Sequence, residues 1–160
     1  MATFQIDTPF LENIKDLIRG KKDSKLRGKF KPMHYADLAE VIELLTKNDA
    51  TYIVKLLGSE TTADALAEVD PDIRESILEN LSAKEIALEV SELDTDDAAD
   101  LILELPEDRK EKVMSQIEDY ENVQDIRDLL KYDENTAGGL MAKELVKVQE
   151  GLCVLKCLNE

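Results

Sequence analysis

The densest chemistry of this chain lies in seven residues, Asp94-Thr-Asp-Asp-Ala-Ala-Asp100, where four carboxylates crowd one expected helix start. Two of them have a structural explanation. A carboxylate just before a helix accepts the free N–H groups of its first turn, and one inside that turn suits the positive end of the helix dipole. Asp94 and Asp97 therefore read as an acidic version of a capping box. Asp96 and Asp100 have no such explanation. They stand four residues apart on one helical face, where like charges cost roughly 0.2–0.5 kcal/mol unless something neutralises them. Two carboxylates one turn apart can share a divalent ion, and oxygen ligands alone select hard cations such as magnesium or calcium. The small Ala98 and Ala99 predict a backbone accessible to another surface. The chain contains no complete D-x-[DN]-x-[DN]-G-x5-E loop, so a site here is expected to be open, hydrated and completed by a second surface.

Other chemistries find little footing, and the chain is expected not to be an enzyme. It has no G-x-S-x-G elbow, Walker loop or paired-histidine metal motif, and Gly138-Gly139 is not set in a phosphate-cradling pattern. The single histidine, His34, precedes the run 36–45 and reads as a helix-start residue. Cys153 and Cys157 are too few and too local for a disulfide framework, and read as buried thiols rather than zinc ligands.

The elements that must carry these carboxylates follow from a twelve-residue grid. Steps of twelve from Leu45 reach Leu57, Val69, Leu81, Leu93, Leu105, Ile117 and Leu129; steps from Ile42 reach Val54, Leu66, Leu78, Val90, Ile102, Met114 and Ile126. All sixteen are apolar in a chain that is 43% apolar, a chance of roughly one in a million for a fixed period and phase. Twelve residues at about 100° each leave an α-helix about 120° out of register, so one continuous helix cannot hold these positions on one face. The chain must stop and restart in every unit. The residue after each grid position is Thr46, Gly58, Asp70, Ser82, Asp94 or Pro106, and Ser82 with Glu85 forms a capping-box pattern. The expected unit is one helix of two to three turns and a tight turn, stabilised by stacking on its neighbours. The predicted fold class is all-α, a superhelical stack of short helices.

Charge divides the chain in two. Residues 1–31 hold eight Lys or Arg against four Asp or Glu, so a net charge of −16 leaves −20 on the remainder. The basic segment has few aromatics and no nucleic-acid signature, and the acidic remainder repels polyphosphate. It is expected to be a helix with an apolar stripe, Phe10, Ile14, Leu17 and Ile18, that leans on the acidic body or lies near a membrane surface. The chain has no signal-peptide layout or membrane-spanning run and is expected to be cytosolic or to face the cytosol. Like charges within a Debye length of about 8 Å repel, so the acidic surface invites cations.

After Leu130 the pattern changes. Residues 131–141 leave the grid, with a flexible joint expected at Gly138-Gly139; residues 144–149 alternate like a strand, and 151–158 look like the opening of an apolar helix. One strand and part of a helix make no core, so residues 144–160 are expected to begin a second, truncated α/β domain.

Residues 33–45 (MHYADLAEVIELL), 93–108 (LDTDDAADLILELPED) and 132–148 (YDENTAGGLMAKELVKV) resemble the cytosolic amino-terminal domain of MgtE-type magnesium channels and the start of their CBS region. The likeness covers about residues 33–150, and Thr136-Ala-Gly-Gly-Leu-Met141 is its most discriminating part. It implies the amino-terminal superhelical domain at 32–131, a linker at 132–143 and an incomplete CBS domain at 144–160, while the basic segment at 1–31, set apart by its charge, has no firm counterpart in the family. It further implies a regulatory module of a homodimeric channel at the cell membrane, reaching the membrane only through a transmembrane domain outside this chain. In that family, abundant Mg2+ bridges the acidic amino-terminal domain to the CBS domains of the same full-length protein and closes the pore. The metal-contacting positions carry over to Asp96 and Asp100 directly, and to Asp64 in place of a family glutamate. Tyr35 stands where the family commonly has proline. A different class of reading is a helical interaction scaffold, like the domains of flagellar motor switch proteins; the strand expected after Met141 favours the MgtE reading.

Overall fold

The computed structural model describes residues 6–133, 136–141 and 143, and all regular structure among them is helical. Ten helices follow in order: α1 Thr8–Arg19, α2 Asp23–Phe30, α3 Tyr35–Glu43, α4 Lys47–Leu57, α5 Ser59–Glu68, α6 Pro71–Leu78, α7 Ala83–Glu92, α8 Thr95–Leu103, α9 Glu107–Met114 and α10 Tyr120–Leu129. From α3 to α9 each helix begins twelve residues after the last, and α10 begins one residue late. The spacing is set at the N-caps. The Thr46 hydroxyl accepts from the Asp49 N–H, Asp70 accepts from the Asp72 N–H, and Ser82 and Glu85 exchange both bonds of a capping box. His34 caps α3 through Nδ1, which accepts from the Ala36 N–H at 3.3 Å, as its position before the apolar run predicts. Between α4 and α5 the turn is a single residue. Gly58 makes it with a φ of 85°, a conformation in which any Cβ is strained.

Alternate helices form the packing. α3, α5, α7 and α9 stack in one row; α2, α4 and α6 form another, and α8 pairs with α10 and packs on α7. Fourteen of the sixteen grid residues are buried, and Leu45 and Leu57 pack against the core. The grid is thus the inward stripe of a solenoid, where each helix is too short to stand alone and gains its stability from the next. Ala63, Ala65, Ala87, Ala98 and Ala99 are also buried and let the helices approach closely. The expected open backbone at Ala98 and Ala99 is therefore corrected, since these small side chains are spent on helix packing rather than left for a partner.

The basic segment forms two helices, and α2 packs on α4. Ile14, Leu26 and Phe30 are fully buried, Phe10, Leu17 and Ile18 pack beside them, and the Tyr52 hydroxyl bonds to Asp23. The segment leans on the acidic body through its apolar face, leaving Lys21, Lys22, Lys25, Arg27 and Lys31 exposed. No helix among the described residues is long and apolar enough to cross a membrane. The expected strand at 144–149, the helix at 151–158 and both cysteines lie outside the described residues.

Candidate functional site

The acidic positions gather where α5 passes the start of α8. Buried positions fix which residues of α5 face outward: Thr62, Ala63, Ala65 and Leu66 turn inward, so Asp64 and Glu68 share the exposed face one turn apart. In α8 the inward set is Thr95, Ala98, Ala99, Leu101 and Ile102, which leaves Asp97 and Asp100 outward and Asp96 half-buried. Asp64, Glu68, Asp94 and Asp97 line one open cleft of about 430 Å³, with Tyr35 and Ala67 completing its wall. A second cleft of about 200 Å³ on the other side of Asp64 is lined by Glu60 and Glu92, again with no basic side chain. Asp64 is the carboxylate common to both.

The electrostatics agree with this crowding. Partial burial pushes the Asp97 carboxyl up from its ordinary value, and the neighbouring charges of Asp96, Asp100, Asp94 and Glu68 push it further. Asp96 and Asp100 thus belong to the same field of negative charge as the cleft, although they do not line it beside Asp64. The acidic capping box is corrected: the Asp94 side chain makes no capping hydrogen bond and lines the cleft instead. Drawing both carboxylates onto the same helix end would bring like charges together inside a cluster of carboxylates, and their repulsion opposes it.

Arg74 holds the two acidic helices in place. From α6 its guanidinium donates to the carbonyls of Leu66 at 3.0 Å and Ala67 at 2.5 Å, in the last turn of α5, and forks onto both oxygens of Glu104 at the end of α8. Both side chains are largely buried, so the pair acts as a fixed strut between the walls. The linker is tied to the same region. The Lys143 backbone N–H donates to the Thr95 hydroxyl at 3.0 Å, and its ammonium reaches Asp125 and Asp128, each at 2.9 Å. Hydrogen bonds from Lys131 and Lys143 hold the Asp128 carboxyl down to about 2. Gly138 has a different reason from the expected flexible joint. It lies under the Tyr132 ring, where an added Cβ meets the ring at 2.5 Å, and its φ is not in the left-handed region.

Sequence reasoning named Asp64, Asp96 and Asp100 and missed Glu68, Arg74 and Lys143. Glu68 was open to the argument applied to Asp96 and Asp100, since it follows Asp64 by four residues. Arg74 pairs with a residue thirty positions away, and no local pattern announces such a contact.

Chemically, the clefts offer carboxylate oxygens on two walls and no convergent cage. Among the described residues no three His, Cys, Asp or Glu side chains come close enough to hold an ion by themselves. Oxygen-only donors, few of them direct, fit a hard cation that keeps most of its water.

Known proteins agree with this architecture. The model of the MgtE intracellular N domain matches residues 33–135. The fold is similar to a crystal structure of the soluble part of a magnesium transporter, at 23% identity and a TM-score of 0.73, covering 85% of this chain and 54% of that one. It is also similar to the cytosolic domain of the Mg2+ channel MgtE solved in complex with ATP, at 24% identity and a TM-score of 0.79, covering 93% of this chain and 61% of that one. No curated protein matches the chain. This chain thus spans a little over half of the length of each of these structures, and at such identities they establish the fold. The family match rests on the domain itself: with the repeat, its caps and its acidic face all lying within the matched residues, the chain belongs to the family of the MgtE intracellular N domain.

Proposed function

We propose that this chain is a magnesium-sensing regulatory module on the cytosolic face of a magnesium channel or transporter, without catalytic activity of its own. The observation that carries this reading is the cleft between α5 and the start of α8, walled by Asp64, Glu68, Asp94 and Asp97 with no cation among its lining residues. Asp64, at this cleft, and Asp96 and Asp100, in the same field of negative charge on α8, would hold Mg2+ on this acidic face. The ion supplies positive charge between two acidic surfaces while keeping several of its waters, so one or two carboxylates from each side are enough. The second surface is the CBS domains of the same full-length protein, arranged as a homodimer. When the ion is scarce, uncompensated carboxylates repel and the surfaces part; when it is plentiful, the bridged arrangement is favoured by mass action and the pore closes.

The test is calorimetric docking of this chain onto the CBS domains at matched ionic strength, with and without Mg2+. Docking is expected to require Mg2+ and to be lost in the double variant Asp96→Ala, Asp100→Ala. Docking that ignores Mg2+ refutes the sensor and supports an interaction scaffold instead.

A further inference from the structure

Glu89 is the acidic side chain that the acidic face does not explain. It lies on α7 and is 4% exposed. Its one polar partner among the described residues is the Thr62 hydroxyl on α5, 2.9 Å from both carboxylate oxygens. Thr62 Oγ1 also stands 3.0 Å from the carbonyl oxygen of Gly58. A hydroxyl has one proton and here faces two acceptors. If that proton goes to the Gly58 carbonyl, the contact with Glu89 is a hydrogen bond only when the carboxyl carries a proton and donates to Thr62 Oγ1. If it goes to an ionised Glu89, the hydroxyl oxygen is left 3.0 Å from the carbonyl oxygen with nothing between them. The chain Glu89 to Thr62 to Gly58 closes only when Glu89 is neutral.

The surroundings favour the same state. On α7 the flanking charges are Glu85 and Glu92, both repelling an ionised Glu89. From α4 the cation at this cleft is Lys55, which is paired with Glu85 at 3.1 Å. From α5 the facing group is the Thr62 hydroxyl, while Glu60, Asp64 and Glu68 lie on the exposed side. From α8 the charged groups are the carboxylates Asp96, Asp97 and Asp100. From α9, Arg109 is committed to the carbonyls of Leu78 and Leu81, Lys110 to Glu107, Lys112 to Asp108, and Glu111 to Arg127. No cation compensates Glu89 among the described residues. Burial is the largest influence on its carboxyl, and places its titration at about 7. A proton has a route in, because Glu89 lines a cleft of about 110 Å³ with Lys55, Gly58 and Leu88.

We infer that Glu89 and Thr62 form a proton-operated latch between α7 and α5, closed while the Glu89 carboxyl is neutral and released when it ionises. The latch lies in the row of helices α3, α5, α7 and α9, so releasing it loosens the stack at the helix that carries Asp64.

The test uses the full chain. A carboxyl-carbon NMR titration of the unaltered protein, assigned through side-chain correlations, is expected to place Glu89 near pH 7 and apart from the other glutamates. Amide protection in α5 and α7, corrected for base-catalysed exchange, is expected to fall about tenfold between pH 6 and 8, and to stay level in Glu89→Gln, whose amide still donates to Thr62. Titration of Glu89 at pH 4–5, pH-independent protection in the unaltered protein, or the same fall in Glu89→Gln each overturns the latch. The titration needs no variant, so poor folding of Glu89→Gln leaves the inference open to refutation.

Discussion

Replacing Arg74 by alanine removes the strut between α5 and α8, and the structure sets the size of the effect. Four hydrogen bonds disappear: two to the Glu104 carboxylate and one each to the carbonyls of Leu66 and Ala67. The Glu104 side chain is 25% exposed and Arg74 11%, so the carboxylate left behind is partly rehydrated and the cost falls at the lower end of the range for breaking a buried pair, about 3 kcal/mol. Lysine restores the charge but not the fork. One ammonium cannot serve a carboxylate and two carbonyls in the same geometry, so Arg74→Lys is expected to cost about 2 kcal/mol. Removing Glu104 as well takes away the stranded charge, and the double variant Arg74→Ala, Glu104→Ala is expected to be more stable than the sum of the single losses by about 1–2 kcal/mol. Urea denaturation followed by circular dichroism reads all four corners of the cycle, and at a slope of about 1.5 kcal/mol/M the Arg74→Ala midpoint moves down by about 2 M. A loss under 1 kcal/mol for Arg74→Ala, or additive single losses, refutes the strut. Because Arg74 joins the helix of Asp64 to the helix of Asp96 and Asp100, the same substitution is expected to weaken Mg2+-dependent docking while leaving every candidate ligand in place.

Further consequences can be measured on the same chain. Glu89 titrates near 7 when folded against 4.5 ordinarily, so the folded state holds a proton that the unfolded chain has released; stability falls as pH rises from about 4.5 through 7 and then levels, about 3 kcal/mol in all and about 2 kcal/mol between pH 5.5 and 8. Denaturation midpoints of Glu89→Gln are expected to lack that slope, and an unchanged slope contradicts the assignment. Ile102→Ala, at a fully buried grid position, is expected to cost about 3 kcal/mol, and Leu44→Ala, one residue off the grid and 48% exposed, under 1 kcal/mol; equal losses in thermal melts contradict the inward stripe. Gly138→Ala is expected to displace the Tyr132 ring, seen as a change in its NMR shifts, and an unmoved ring shows that the close approach is absent in solution.

The helices were legible because each is specified locally. A stop, a cap and an inward pair recur every twelve residues, and Thr46, Asp70 and Ser82 each bind an N–H within three residues of themselves. Asp94 shows where that logic ends. Its sequence position is a cap, but its side chain makes no capping bond and lines the cleft with Asp64 and Glu68 of α5, a placement that no local pattern encodes. Ala98 and Ala99 mislead for the same reason: smallness is equally compatible with an open backbone and with a tight helix contact, and only the partner helix decides. Glu89 carried a signal that was available. It lies three residues after Ile86 and one before Val90, on the inward side of α7, where a carboxylate demands an explanation.

The acidic face and the buried acid then answer to one constraint. A solenoid of helices this short has no single core to absorb strain, so the spacing between Asp64 and the α8 carboxylates depends on contacts between neighbouring units. Arg74 fixes that spacing with a permanent charge from α6, whereas Glu89 and Thr62 fix α5 against α7 with a removable proton. Carboxylates held close together against their own repulsion need at least one contact that does not ionise away, and Arg74, charged at every physiological pH, supplies it. The proton latch can therefore adjust the stack without dismantling it. Combining Glu89→Gln with Arg74→Ala should restore part of the stability lost in Arg74→Ala at pH 8 but little at pH 5.5, and a restoration independent of pH would show that the Glu89 carboxyl does not change its charge between these pH values.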